Sequence, residues 1–565
     1  MDTRVNVFTL IDYNDFYSEE KSLAEALNVI RNIPSITLLN YVSGFNVNLY
    51  LRENFEYSGK IQAYILDSVL RKAPVLLTEK WREILESNKN EGHSPVIIWN
   101  YSNLLFYDLI FKRFNSRPSR DLSMNEAKAF FNAYLIINSI ANRKITVEET
   151  DLLAASQNNN IEEITVPSFI YQKDYASTTD FSNQITRGVL FFKYLEMHPK
   201  YKVLVQEYYQ VRSIPGYLRM FKNLMVLFSE LKIAGDLSER NQLVNLEEYV
   251  LTGDVDLSFI ETLCINSYIK NYVGGKSFVQ LREKFLYKSG KYIFFVLDVN
   301  FLIDNFYKAQ IFSFNGFLKK KGIKDEFLSV KAKEFMEGSY LPQVIGRCFP
   351  DYSRYLGDEC KNSKGEELCD VYIREGNKIC LIEFKDILLN ADAKNSGDKN
   401  ILYAELDKKF LENQKKKPKG VTQLLNAVND IEINGVLFDK DCPSSNLEIF
   451  PIILYTDFSF GIEGLNKVFK EKLNCKLNNF TFSKLRTNEL TFINLSFFEL
   501  HEEYLANKHL NIFAMLKEYH LHIKEPDYYL TPFESFSRFY MNKNISIEIG
   551  ESSYYKQMLE DITQS

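Results

Sequence analysis

The sequence CDVYIREGNKICLIEFKD, residues 369–386, predicts two β-strands joined by a tight turn. Gly376-Asn377 supplies the turn, since both residue types tolerate a positive φ. Residues 379–382 form a continuous apolar run, which is typical of a strand buried inside a sheet. The run ends in Glu383-Phe384-Lys385. Because side chains alternate along a strand, the glutamate and the lysine lie on the same face.

Asp370 stands at the start of the first strand, and the predicted hairpin brings it back beside Glu383 and Lys385. Two carboxylates are suitable oxygen ligands for a hard divalent cation, and a nearby lysine can hold a water that the cation activates. Such a site suits hydrolysis of a phosphodiester bond. The alternative is that Glu383 and Lys385 form a solvated ion pair at a strand end and have no catalytic role.

These residues have the spacing D-x12-E-x-K, and the chain resembles the PD-(D/E)XK nuclease superfamily over about residues 325–460. The resemblance implies a restriction-endonuclease-like core in the order αβββαβ, with three antiparallel strands after the first helix. It also implies a Mg2+-dependent phosphodiesterase that leaves 5′-phosphate and 3′-hydroxyl ends. Asp370 and Glu383 would bind Mg2+, for which Mn2+ can substitute. Lys385 would hold or help to deprotonate the attacking water and offset negative charge.

The sequence after the hairpin follows the order that the resemblance implies. Residues 419–428 begin a helix with one apolar stripe, and Gln423 lies beside that stripe. Family members often have a glutamine or lysine here, which makes Gln423 a fourth candidate site residue. The alternative is an ordinary glutamine at the edge of a buried face. Residues 447–457 are apolar and supply the expected last strand.

Upstream of the hairpin, residues 329–341 predict the first core helix. Family helices often place a glutamate one turn before an aromatic residue, and Glu337 fits this pattern better than Glu334. Gly338 and Pro342 depart from the pattern, because both residues weaken or kink a helix. We take Glu337 as the upstream acid. Glu334, or a surface glutamate without a role, is the alternative.

The rest of the chain carries few chemical signals. Residues 1–285 are mostly helical in pattern, with a linker-like stretch near 115–120. Strand-like runs at 291–298 and 309–314 follow, and we expect Asp298 and Asp304 to have capping or turn roles and not to bind metal. The predicted fold is mixed α+β, in four segments: an accessory, sensor or partner-binding region (1–285), a small β-rich connecting element (286–320), the nuclease-like core (321–460) with an insertion (386–418), and an α/β extension (461–565).

The composition is that of a globular protein, with 45% apolar and 25% charged residues. No apolar run reaches the roughly 18 residues that a membrane helix needs, so we expect no membrane association. The seven cysteines are scattered without a C-x2-C pair. This pattern argues against zinc and disulfides and predicts a reducing, cytoplasmic environment. The net charge of −6 argues against a protein that coats nucleic acid over its whole surface.

Local basic clusters remain compatible with nucleic-acid binding. Lys415, Lys416, Lys417 and Lys419 flank the predicted site in sequence, and we expect them to contact phosphates. The alternative for these lysines is a solvated face, which is what most charge runs form. A possible homo-oligomer and a protein or ligand partner for residues 1–285 complete the expected partners.

The sequence thus predicts a metal-dependent endonuclease that acts on nucleic acid, with DNA favoured over RNA. Superfamily members with large accessory regions often serve in bacterial restriction or antiphage defence, which suggests that role by analogy alone. One alternative is a catalytically idle nuclease fold that binds nucleic acid or protein. Another is a helical interaction protein in which the motif arose by chance.

Overall fold

A computed structural model describes residues 8–50, 59–90, 94–143, 161–171, 180–275, 277–324, 326–545 and 553–564. The chain is a mixed α+β protein and divides into two compact units. We call them the helical unit (residues 6–146, 175–325 and 554–565) and the sheet unit (1–5, 147–174 and 326–553). Among the helices of the described ranges, none combines the length and the apolar character that crossing a membrane requires.

The helical unit contains two small sheets among its helices. Strands β1 (Phe8–Leu10) and β2 (Ser94–Val96) pair in parallel. Strands β3 (Leu243–Asn245), β4 (Leu286–Lys288) and β5 (Ile293–Val296) form an antiparallel sheet with β5 in the middle. The helices are Tyr13–Tyr17, Leu23–Ile30, Ser35–Leu49, Gly59–Leu70, Val75–Asn90, Asn100–Lys112, Met124–Arg143, Phe181–Met197, Lys202–Val211, Tyr217–Glu230, Glu247–Leu251, Leu257–Thr262, Ile265–Asn271, Val279–Glu283, Val299–Asp304, Lys308–Lys320 and Ser553–Gln564.

Segment 286–320 lies in the helical unit, and only part of it is β-structure. Strand β5 shares its sheet with β3, from residues 243–245. The strand predicted at residues 309–314 is wrong, because these residues belong to the helix Lys308–Lys320. Ile311, Phe314 and Leu318 are buried at intervals of three and four residues, which is the period of a helix.

The sheet unit is organised around a mixed six-stranded sheet. Strands β6 (Ser353–Leu356), β7 (Val371–Glu375) and β8 (Lys378–Lys385) are antiparallel neighbours. Strand β9 (Leu447–Tyr455) runs parallel to β8 and also pairs in parallel with β10 (Leu485–Thr487) and β11 (Thr491–Asn494). The helices are Ile161–Tyr171, Phe327–Val330, Lys331–Tyr340, Leu341–Cys348, Gly357–Glu359, Ala391–Lys394, Lys399–Phe410, Gly420–Asn434, Phe458–Phe460, Leu465–Leu477, Leu495–Leu500, Glu502–Ala506, Ile512–His522 and Phe533–Asn544.

The β7–β8 hairpin forms where the sequence predicts it. Glu375 pairs with Lys378, which leaves Gly376 and Asn377 as a two-residue turn. Gly376 has a φ of +62°, a conformation that glycine adopts without strain. The apolar run of β8 is buried, as expected for a strand with neighbours on both sides. The hairpin is therefore fixed by local turn chemistry and by burial of its second strand.

Helices cover the face of the sheet that carries Leu381 and Ile453, and their apolar side chains form one core with it. The predicted stripe of the helix Gly420–Asn434 is buried in this core. The insertion 386–418 contributes the helix Lys399–Phe410, which is buried along one side in the same core. Residues 161–171 also pack here, although they are distant in sequence.

The first core helix is continuous from Phe327 to Cys348, but its middle has unusually wide turns. Within Lys331–Tyr340 the hydrogen bonds follow the i→i+5 pattern of a π-helix, and the Leu341 N–H donates to the Met336 carbonyl. The helix therefore does not break at Pro342, and its turns are instead wider over the ten residues Lys331–Tyr340. Wide turns shift the preceding carbonyl groups out of the α-helical register in which a proline ring would clash.

Candidate active site

Three polar side chains meet on one face of the sheet at the end of β8. Glu383 and Lys385 are two residues apart on this strand, and Lys385 Nζ lies 2.8 Å from Glu383 Oε2. Asp370 stands one position beyond the cross-strand pair of Val371 and Ile382, which places it opposite Glu383. Its Oδ2 atom is 3.9 Å from Lys385 Nζ. The structure therefore brings the three predicted residues together.

The orientation of Asp370 is fixed by the backbone around it. The Phe384 N–H donates a hydrogen bond to Asp370 Oδ2 at 2.6 Å. The Asp370 carbonyl accepts another from the Gly357 N–H at 2.9 Å. A carboxylate held in this way keeps its second oxygen directed elsewhere, so it can act as a preorganised ligand.

Gln423 reaches the same group from the helix Gly420–Asn434. Its Oε1 atom accepts a hydrogen bond from the Gly420 N–H at 2.7 Å and lies 3.5 Å from Lys385 Nζ. At the start of this helix Gly420 has a φ of +40° and lies against the Phe410 backbone, where a Cβ atom would be 3.0 Å from the Phe410 carbonyl oxygen. Gln423 is thus positioned by the first turn of its helix, at the edge of the buried face.

Two further carboxylates lie beside Asp370. Oxygen atoms of Glu337, Glu367 and Asp370 are all within 4.8 Å of one another. Of the two acids considered for the first helix, Glu337 is the one that joins Asp370, from the wide-turn segment. Asp370 therefore has Glu337 and Glu367 as neighbours and also lies near the hydrogen-bonded pair of Glu383 and Lys385.

Glu367 is a site residue that the sequence did not reveal. It lies between β6 and β7 in a short irregular hairpin, where Lys361 and Glu367 are bridged and the Leu368 N–H donates to the Cys360 carbonyl. Such a stretch has no periodicity that could assign a face to its side chains. The one available signal is proximity, since Glu367 precedes Asp370 by three residues.

The electrostatics of the site are dominated by crowded carboxyl groups. Burial and the neighbouring Asp370 raise the pKa of Glu383 to about 8, although Lys385 opposes the change. Partial burial, together with Asp370 and Glu367, raises the pKa of Glu337 to about 7. Burial and Asp370 also raise the pKa of Glu367. Ionisation of Glu337, Glu367 and Glu383 is therefore less favourable at this site than in water.

Lys385 keeps its charge in this environment. Burial alone would lower the pKa of its amine, but the carboxyl groups of Glu383 and Asp370 outweigh burial and raise the pKa overall. Its ammonium group is hence available as a hydrogen-bond donor and as a positive charge. It is not suited to accept a proton at neutral pH.

The predicted phosphate-binding lysines lie on the turn that leads into the Gln423 helix. Lys415, Lys416 and Lys417 are exposed, and Lys419 is half-buried. Asn413 shapes the turn, because its Oδ1 atom accepts hydrogen bonds from the backbone N–H groups of Lys415 and Lys417. The structure thus places these lysines on an accessible turn and does not bring them into contact with the acids.

Comparison of the chain with protein-family models, with curated proteins and with solved structures gives no match. The chemistry of the site therefore rests on its own residues. The three acids whose oxygen atoms lie within 4.8 Å of one another, Glu337, Glu367 and Asp370, offer the type of ligand atom that hard divalent cations prefer.

Proposed function

We propose that this protein is a metal-dependent endonuclease that hydrolyses phosphodiester bonds of nucleic acid, with DNA as the expected substrate. The observation that carries the proposal is the convergence of Asp370, Glu383 and Lys385 at the end of a buried strand, with Glu337 beside them. A chance D-x12-E-x-K pattern gives no reason for an acid from a separate helix to join the other three.

The order of elements in the sheet unit supports the same proposal. The helical stretch 327–348 is followed by antiparallel β6, β7 and β8, then by the Gln423 helix and by β9, parallel to β8. With the insertion helices between β8 and the Gln423 helix set aside, this order supports a proposal based on the αβββαβ core that the resemblance implies.

The carboxylates fit a divalent cation both in chemistry and in charge. Asp370 would hold Mg2+ with Glu383 and with the acids of Glu337 and Glu367, whose mutual repulsion the ion would relieve. When bound, Mg2+ polarises a phosphate, offsets negative charge and lowers the pKa of a water ligand. Because metal ligands must be deprotonated, metal binding and proton release are coupled at this site.

The protein's own residues supply the remaining functions. Lys385, held by Glu383 and next to Gln423, donates hydrogen bonds from Nζ and places a positive charge where the phosphate becomes more negative. Glu337, whose pKa is raised to about 7 in the metal-free site, would lose its proton when the cation binds and so act as a ligand. The lysines at 415–417 would contact phosphates outside the site, which makes binding sensitive to salt.

The test is a cleavage assay with the full chain on supercoiled plasmid, single-stranded DNA and RNA, with Mg2+, Mn2+ or EDTA. We expect cutting of DNA with either metal and none with EDTA, with 5′-phosphate ends. Glu383→Ala and Lys385→Ala should abolish it, while Glu366→Gln, an exposed acid outside the cluster, should not. No cutting by the wild type with either metal would refute the proposal.

A further inference from the structure

A buried ion pair connects two elements of the candidate site. Lys331 Nζ lies 2.6 Å from Asp386 Oδ2, and the two side chains are only 8% and 11% exposed. Asp386 Oδ1 accepts a further hydrogen bond from Thr456 Oγ1 at 2.8 Å. The chemistry proposed for Asp370, Glu383 and their neighbours makes no use of these three residues.

The positions of the pair in the chain indicate what it does. Lys331 begins the wide-turn segment that carries Glu337, and Asp386 directly follows Lys385. Thr456 directly follows the last residue of β9. One ion pair therefore fastens the helix of Glu337 to the ends of the two central strands.

The wide-turn segment is also held at its other end. Tyr340, its last residue, is fully buried, and its hydroxyl donates a hydrogen bond to Glu499. Wide turns are rare in helices and occur frequently at functional sites. If residues 331–340 returned to ordinary α-helical turns, the segment would rotate about its axis. The carboxyl group of Glu337 would then move away from Asp370.

We propose that Lys331 and Asp386 are positioning residues, which hold Glu337 against Asp370 and thereby set the geometry of the metal site. This inference rests on the proposed function. Replacing a buried ion pair by apolar residues is often neutral for stability, so stability alone does not account for the pair. A displacement of about 1 Å in a site can reduce activity by about 100-fold. A requirement for precise placement of Glu337 therefore accounts for the pair.

The placement can be tested without metal or substrate, by thermal melts of the full chain in EDTA at pH 8. In the wild-type background, Glu337→Gln removes repulsion with Asp370 and Glu367 and should raise Tm. In the Lys331→Met/Asp386→Leu background the helix is no longer fastened, and we expect the rise to fall to about half or less, since only coupled residues deviate from additivity. An equal rise in both backgrounds overturns the inference.

A second buried pair of the same sheet provides the matched control. Arg374 Nε lies 2.5 Å from Asp439 Oδ2, the side chains are 8% and 2% exposed, and the pair lies near the turn end of β7. In the Arg374→Met/Asp439→Leu background, Glu337→Gln should raise Tm as in the wild type. If Lys331→Met/Asp386→Leu does not fold, the single variant Asp386→Asn replaces it as the background. The rise in Tm from Glu337→Gln should then fall to about half or less in that background, and an equal rise overturns the inference.

Metal binding and catalysis separate this inference from the proposed function. Calorimetry with Mn2+ should show affinity reduced by roughly 10-fold in Lys331→Met/Asp386→Leu, as for residues that orient metal ligands. We expect kcat to fall by a similar factor while KM for DNA is unchanged. If the wild type neither binds Mn2+ nor cuts but the Tm coupling is present, the proposed function fails and the positioning role stands. Wild-type affinity and kcat in the folded double variant overturn the positioning role alone.

Discussion

Two aspartates, the buried Asp298 in the helical unit and the partly buried Asp370 in the sheet unit, have opposite surroundings. Asp298 Oδ2 accepts hydrogen bonds from the amides of Asn46 and Asn100, at 2.9 and 3.1 Å, and its Oδ1 accepts one from a backbone N–H. Asp370 accepts one backbone hydrogen bond and faces two further acids. Donors around a buried acid stabilise the fold, whereas acids around it create repulsion that a cation can relieve.

Asp298 is the more deeply buried of the two aspartates and yet has a structural role, so burial of an acid does not by itself indicate a functional site. Asp298 follows an apolar strand, much as the Glu383 motif ends one. The prediction that Asp298 caps a helix is confirmed, because its side chain accepts from the Phe301 N–H at the start of Val299–Asp304. The identity of the neighbouring groups, donors or acids, is what separates a structural carboxylate from a candidate ligand.

The largest effect that we expect is loss of cutting in Asp370→Asn. The amide keeps the shape and can still accept from the Phe384 N–H, but it removes the ligand charge. We predict a reduction in cutting rate of about 1000-fold, equivalent to about 4 kcal/mol in the barrier. The Tm in EDTA should not fall, since repulsion with the neighbouring acids is removed. A wild-type rate with Mg2+ would exclude Asp370 as a metal ligand, and Glu366→Gln serves as the control.

The same substitution at the other aspartate should damage the fold. Asp298→Asn replaces one carboxylate oxygen by an amide NH2 group, so at least one donor around this side chain loses its acceptor. We expect the helical unit to lose roughly 2–3 kcal/mol of stability. Denaturant unfolding at pH 8 measures this loss, with the native carboxyl ionised because burial raises its pKa only to about 6. The exposed Asp236→Asn is the control. Unchanged stability would mean that the donors around Asp298 find other partners.

Glu337→Gln should change how stability depends on pH. Folding raises the pKa of Glu337 from 4.5 to about 7, so the folded protein favours the protonated form. The stability that this form contributes is complete below pH 4.5 and is lost as the pH rises through about 7. In EDTA, the Tm of Glu337→Gln should therefore exceed that of the wild type increasingly over this interval. A constant difference would show that Glu337 is not crowded by other acids, and Glu366→Gln should give none.

The smallest effect should come from the exposed turn. Replacing Lys415, Lys416 and Lys417 with serine should flatten the salt dependence of DNA binding by about one unit of log–log slope for each of these lysines that binds a phosphate. The kcat at saturating DNA should remain, because the turn does not touch the acids. Binding titrations over a range of salt concentrations measure the slope. Lys128→Ser/Lys202→Ser, in exposed lysines of the helical unit, is the control. An unchanged slope in the first variant would mean that the turn only faces solvent.

The parts of the fold that the sequence predicts are those with local signals. The hairpin of β7 and β8 has its turn residues, β9 its apolar run, and the Gln423 helix its stripe. The strand predicted at 309–314 fails because its apolar spacing also fits a helix, and burial of Ile311 and Phe314 selects the helix. Short apolar runs do not by themselves distinguish the two structures.

Long-range packing accounts for what the sequence does not predict. The helix Ile161–Tyr171 joins the core of the sheet unit, with a hydrogen bond between the hydroxyls of Thr165 and Tyr403, across more than two hundred residues. Glu367 reaches Asp370 from an irregular loop, and the wide turns around Glu337 have no sequence pattern of their own. The sequence does predict that Asp370, Glu383 and Lys385 lie together, because a single hairpin carries all three.

The two-residue turn between β7 and β8 also limits how the length of this hairpin can change. Glu375 is opposite Lys378 and Val371 is opposite Ile382, so partner numbers along the ladder add to one constant. Adding or removing one cross-strand pair changes the distance between the two acids by two residues and keeps them opposite each other. A single residue inserted within β8 instead turns every later side chain of that strand to the other face. With the turn kept at two residues, any change in hairpin length that leaves the two acids opposite each other therefore alters their spacing by two residues.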